Sequence, residues 1–201
     1  DSDIAIRTTG ATLVYPGAPI EVHARIQVAG GGYLEWTPGG LIPYAGADLR
    51  HRFAARVAEG GALVVAELLV AGRLAREERF GFDQVRTRRS IVYAGRLVFA
   101  EVQTLRPEEG HMQGWDPFTC QAALVAVGPG ATSRLADELA WQFETPSGWG
   151  GASALAGNGV IARLLTFDPV VARSRLDRAV LVALRARSAG RLSARRLSAG
   201  R

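Results

Sequence analysis

Glu67 sits where a carboxylate is least expected. It interrupts the run Ala-Leu-Val-Val-Ala-Glu-Leu-Leu-Val at 62–70, on the alternating face shared by Leu63, Val65 and Leu69, and Glu35 lies in the same way between Leu34 and Trp36. A carboxylate removed from water without a partner costs several kcal/mol, so each needs an arginine, backbone amides or water. Two chemistries fit. One is a structural ion pair, for instance with Arg73 or Arg79; the other is a wet polar channel lined by carboxylates, attractive to a divalent cation in transit. The remaining reactive residue types are dispersed. His23, His51 and His111 show no H-x-H, H-x-x-x-H or H-E-x-x-H spacing, and three isolated histidines read as surface or satisfied core residues. Cys120 is the single cysteine, which excludes an internal disulfide and any multi-cysteine metal site and reads as packing. No G-x-S-x-G, Walker A or G-x-G-x-x-G occurs where a strand meets a helix. The expectation is a protein with no catalytic residues and no permanently bound cofactor.

These side chains must be positioned mainly by strands. Ile20, Val22, Ala24, Ile26 and Val28 alternate with Glu21, His23, Arg25 and Gln27, the pattern of a half-buried strand, and Leu49 to Val57 alternates likewise. Ala62 to Val70 is apolar on both faces, as in a strand covered on both sides. Tyr33 to Trp36, Phe80 to Phe82, Arg88 to Tyr93 and Arg96 to Leu105 continue the series between Gly-rich turns. Such spacing reads as a sandwich, a barrel or a coil of sheets. After Pro129 the period changes. Thr132 or Ser133 can cap a short helix carrying Leu135, Leu139 and Phe143; Ser147 to Gly159 reads as a Gly-rich loop and Gly159 to Phe167 as a last strand. Asp168 then caps a helix with Pro169 at its first position and an apolar stripe containing Leu176, Val180 and Leu184. Residues 1–187 are read as one domain, and 188–201, with Arg-Leu-Ser-Ala twice, as a basic low-complexity tail predicted to be disordered.

The chain has 201 residues and a formal charge of +5, all 24 basic side chains being arginine. Seven arginines and no carboxylate lie from Arg178 onward, leaving 17 against 19 carboxylates before it. The body is therefore near neutral, and a basic excess confined to a terminus without aromatics argues against nucleic-acid binding. Apolar runs fall far short of the ~18 to 20 residues of a membrane span. Nothing before Thr8 reads as a signal peptide, and a cytoplasmic location is the expectation.

Several short motifs in register then carry a resemblance. Glu35-Trp36-Thr37-Pro38, Leu41-Ile42-Pro43-Tyr44-Ala45-Gly46-Ala47, Ala58-Glu59-Gly60-Gly61-Ala62, Glu67, Gly72-Arg73 and Glu78-Arg79-Phe80-Gly81-Phe82 resemble the consecutive signatures of the urease accessory protein family UreD, also called UreH. Pro43, Gly46, Gly72, Arg73, Glu78 and Phe80 are the motif positions, and Glu35, Glu67 and Glu78 match glutamate positions of the family pattern. Two departures stand out: Thr37-Pro38-Gly39 replaces Leu-Pro-acidic, and Glu77 stands where the family usually has Gly, which is expected to alter a turn.

The resemblance implies a mainly β, β-helix-like stack of short strands with two helices near the C-terminus. It implies a non-enzymatic maturation factor that binds UreF, recruits UreG through UreF and docks on the urease apoprotein to deliver nickel. On that reading Glu35, Glu67 and Glu78 are candidates to line a transient nickel passage, and Leu176, Val180 and Leu184 are candidates to contribute to the UreF contact or to support it. A β-sandwich or barrel that binds a small ligand shares the strand pattern and is the alternative.

Overall fold

The computed structural model describes residues 2–110 and 114–199, with side chains as far as Gly190. Strands dominate because alternation dominates the sequence. In chain order they are β1 (Asp3–Arg7), β2 (Thr12–Val14), β3 (Ile20–Val28), β4 (Tyr33–Thr37), β5 (Leu41–Pro43), β6 (Asp48–Val57), β7 (Ala62–Val70), β8 (Gln84–Tyr93), β9 (Arg96–Leu105) and β10 (Cys120–Val127). Helix α1 (Ser133–Phe143), β11 (Gly148–Leu155), β12 (Gly159–Thr166) and α2 (Pro169–Ala199) follow.

The first two-thirds of the chain winds as a parallel coil. β1, β4 and β7 stack in parallel on one wall, β3, β6 and β8 on the other, and the chain alternates between them. Thr12, Leu41 and Leu69 stack in successive coils, so one turn takes roughly 29 residues here, long enough for the crossover that parallel strands require. Beyond β7 the large sheet continues antiparallel through β10, β12 and β11, while β9 closes the small sheet against β8. The sheets form no closed barrel.

The large sheet is the middle of three layers. Val64, Ala66 and Leu68 of β7 and Ala122 and Leu124 of β10 pack under Leu135, Leu139 and Phe143 of α1 and Leu176, Ala179 and Ala183 of α2. Leu63 and Val65, on the opposite face, meet Phe53, Ala55 and Ile91 of the small sheet. Coverage on both sides explains why β7 is apolar at nearly every position. Among the described residues no helix is long and apolar enough to cross a membrane.

Two local expectations are corrected. Residues 148–155 form β11, paired along its whole length with β12. Its glycines suit the strand because α1 packs directly on it; a Cβ on Gly150 would overlap the Phe143 carbonyl. Phe80 to Phe82 is not a strand, since Phe80 takes the left-handed conformation (φ +56°) in a loop. Helix α2 extends as far as Ala199, its Arg, Leu and Ala residues favouring helix; residues 200 and 201 lie outside the described residues. Asp168 caps α2 as expected, its Oδ1 accepting the Val170 amide at 2.7 Å.

Candidate functional site

Between the two walls of the coil lies a cavity of about 320 Å³, open at the first coil. Its walls are apolar, with Leu13, Val14, Ile20, Val22 and Leu41 among them, and its floor is polar: His51 from β6, Glu67 from β7, Thr87 and Arg89 from β8. Strand register aims these groups inward. Glu67 shares the lumen face with Leu63 and Val65, while His51 and Thr87 are paired neighbours on the facing wall.

The floor is an ion-pair chain. Glu67 pairs with Arg89; Arg89 Nη1 donates to Glu101 Oε2 at 2.8 Å, and Arg163 pairs with Glu101. Two guanidinium groups against two carboxylates leave it neutral. Burial acts to lower the Arg89 pKa, but Glu67 and Glu101 outweigh it and the group is held above its ordinary value. His51 Nδ1 stands 4.0 Å from Glu67 Oε1. Burial pushes the imidazole down, Arg89 adds to this and Glu67 opposes it. Trp36 Nε1, Thr87 Oγ1 and Arg89 Nε are buried without a protein partner, and all three residues line this one cavity. Buried donors of this kind are met by water or by a ligand offering oxygen.

The lowered pKa of His51 has a measurable sign. The unfolded chain binds the proton first on acidification, so stability is full above the ordinary imidazole value of 6.5 and falls as pH drops through it. The slope cannot exceed about 1.4 kcal/mol per pH unit for one group. Urea midpoints compared between neutral and mildly acid pH are expected to fall less for His51→Gln than for the native chain; equal pH dependence would show that His51 is not the group titrating.

The other two glutamates lie elsewhere. Glu35, two places before Thr37 on β4, faces the helix side of the large sheet, and is buried in a bidentate pair with Arg7 (Nε to Oε1 2.7 Å, Nη2 to Oε2 3.0 Å). Thr37 Oγ1 adds a hydrogen bond at 3.1 Å. Glu78 is in the loop after β7, where Arg73 grips it bidentately and holds its carboxyl below the usual range. The partner of Glu67 is thus neither Arg73 nor Arg79. Of the three glutamates only Glu67 lines the cavity. His23 is on the small-sheet edge, and His111 lies outside the described residues. Cys120 is buried, its thiol pushed up to about 11 by burial, and is protonated at neutral pH. Among the described residues no three His, Cys, Asp or Glu side chains form a metal-binding group.

The motif residues form one clasp between loops of the second and third coils. Arg73 lies 4.1 Å over the Tyr44 ring, the Gly46 amide donates to Gly81 O at 2.8 Å and the Phe80 amide to Ala71 O at 2.6 Å. Gly72 has φ +123°, and a Cβ there would overlap the Glu78 carbonyl. Glu77 sits at φ +58°, in the left-handed region that glycine takes freely. Glu77→Gly is therefore expected to stabilise the chain by about 0.5 to 1 kcal/mol. A fall in melting temperature would contradict this.

Leu176 and Val180 are buried against the large sheet, with Leu184 packed beside them. The stripe thus faces the chain's own core, because an amphipathic helix laid on an uncovered sheet buries its apolar side there. The outer face of α2 instead exposes Val170 (73%) and Leu181 (54%).

A model of the UreD urease accessory protein family matches residues 1–198. The chain belongs to the UreD family. It is 34% identical over 168 residues to urease accessory protein UreD 1 of Methylobacterium radiotolerans, covering 80% of this chain and 58% of that protein. With UreD of Ruegeria sp. identity is 32% over 196 residues (87% and 63%), and with UreD of Cupriavidus metallidurans 33% over 153 residues (70% and 52%). The chain therefore spans about half to three-fifths of the length of these UreD proteins.

Proposed function

We propose that this chain is a non-catalytic urease maturation factor, working in the cytoplasm as a scaffold that binds UreF, recruits UreG through it and hands nickel to the urease apoprotein. The observation that carries this reading is membership of the UreD family over nearly the whole chain. The outer face of α2, with Val170 and Leu181 beside Arg173 and Arg178, is the proposed UreF contact, and the buried stripe supports it from beneath. The lumen past Glu67 is the proposed nickel passage. Its three orphan donors favour water inside it, and a carboxylate and an imidazole 4.0 Å apart suit a borderline metal ion. Two donors, one of them shared with Arg89, bind weakly enough to release.

Co-expression with UreF and UreG homologues tests the scaffold: all three are expected to co-purify, and a UreD chain that never retains UreF would overturn it. Glu67→Gln tests the passage. Arg89 keeps Glu101, so folding and complex yield are expected to hold while urease activation falls at limiting nickel and recovers with excess. Normal yield with unchanged nickel dependence would sink the passage at this residue.

A further inference from the structure

The outer face of the small sheet carries a lattice of arginines. Phe53, Ala55 and Ile91 turn into the core, so residues of the other parity turn outward, and on β6 and β8 these include Arg50, Arg52, Arg56, Arg86 and Arg88. Register sets Arg50 beside Arg86 and Arg52 beside Arg88. Neighbouring strands lie about 4.8 Å apart and alternate residues about 6.6 Å, so these four side chains start from the corners of one small block. Arg50 pairs with Glu21 and Asp48, at 3.8 and 3.5 Å. Arg52, Arg56, Arg86 and Arg88 are exposed and have no carboxylate partner among the described residues. Both columns lie inside the sheet, bonded to β3 on one side and β9 on the other, so a strand added at either edge would leave this face unchanged.

This arrangement works against the sheet, because like charges on directly opposed residues are destabilising. The lumen side of the same strand shows the contrast: Arg89, next in sequence to Arg88, is matched by Glu67 and Glu101. What the lattice fits is an extended acidic segment. Carboxylates at every second residue of a strand repeat at about 6.6 Å, the interval from Arg50 to Arg52 and from Arg86 to Arg88. Each guanidinium can take a carboxylate bidentately. Beside the arginines β9 exposes Val102 (53%), the register partner of Arg88, and Leu97 (63%), and such apolar contact suits a polypeptide. A nucleic acid would find no stacking platform, since the aromatic side chains of β6, β8 and β9, Phe53, Tyr93 and Phe99, are all buried.

We propose that the outer face of the small sheet docks an extended acidic segment of a protein partner, its carboxylates seated on Arg52, Arg86 and Arg88. This inference does not rest on the urease reading.

Fluorescence anisotropy of a short labelled peptide alternating glutamate and threonine tests it on the purified chain at near-physiological salt. Saturable binding is expected. Arg52→Glu combined with Arg86→Glu is expected to weaken it at least about tenfold, since two attractive contacts become repulsive. This pattern sets each new glutamate across from an arginine, so the variant is expected to melt no lower than the native chain. Arg52→Gln combined with Arg86→Gln is expected to bind with an affinity between the two. Arg134→Glu combined with Arg178→Glu makes the same change in net charge on exposed positions of α1 and α2, and is expected to leave binding within about twofold. Absence of binding to the native chain overturns the proposal, and so does an equal loss in the sheet and helix variants. A labelled DNA duplex that binds more tightly than the peptide, and is lost in the same sheet variants, would overturn it in favour of a nucleic-acid face.

Discussion

A chain carrying Leu176→Asp is expected to be recovered largely unfolded or insoluble, whereas Leu181→Asp on the same helix is expected to fold and melt as the native chain does. Leu176 is 3% exposed in the cluster that joins α2 to β7 and β10. Replacement forfeits roughly 1.5 to 3 kcal/mol of apolar burial and leaves a carboxylate that must find a partner or a proton, at several kcal/mol more. That sum rivals the entire stability of a domain, about 5 to 15 kcal/mol. Leu181 already stands in water and loses nothing by becoming charged. The contrast also tests the proposed UreF contact, since on that proposal Leu181→Asp is the variant expected to lose UreF while keeping its fold. Soluble yield and urea unfolding measure it, and a Leu176→Asp chain within about 1 kcal/mol of native would show that α2 is not anchored as described.

The face each strand buries was legible because alternation is a local signal. Ile20 to Val28 and Ala62 to Val70 were readable as strands, the second as covered on both sides, from period and composition alone. The coil was one of three architectures that strand spacing left open, and only the family resemblance singled out a β-helix-like stack. Thr12, Leu41 and Leu69 share a column through backbone pairing, and no common side chain marks the repeat of about 29 residues. β11 was hidden for a related reason. Gly148-Trp149-Gly150-Gly151 has the composition of a loop, and it becomes a strand because β12 supplies the ladder and α1 needs the close approach.

At the site, the sequence marked Glu67 as anomalous and the structure supplies its surroundings. An ion pair and a polar cavity were posed as alternatives, yet Glu67 has both, pairing with Arg89 and lining the lumen. Arg89 was the missed residue. It lies in Val85-Arg86-Thr87-Arg88-Arg89, where three arginines look alike, and only parity along β8 distinguishes the one that turns inward. The stripe at Leu176, Val180 and Leu184 was ambiguous in principle, since a buried face and a docking face have the same spacing. What resolves it is the large sheet beneath α2, which no local pattern announces.

Arg89→Met is expected to cost about 3 to 5 kcal/mol of stability at neutral pH, because it takes from Glu67 the guanidinium it pairs with and leaves that carboxylate buried. Glu101 is protected, since Arg163 still pairs with it. The deficit therefore belongs to Glu67 and should be reversible there. Glu67→Leu in the Arg89→Met background replaces a stranded charge with apolar volume next to Leu63, Val65 and Leu69, and buried pairs exchanged whole for apolar residues are often neutral or stabilising. The double variant is thus expected to regain most of the loss, with a coupling between the two sites of more than about 2 kcal/mol in a double-mutant cycle. Urea midpoints of the native chain, both single variants and the double variant measure it. If Arg89→Met and Glu67→Leu instead add as independent losses, the ion pair is not what stabilises the floor of the lumen, and packing by the arginine stem along the cavity wall would have to take its place.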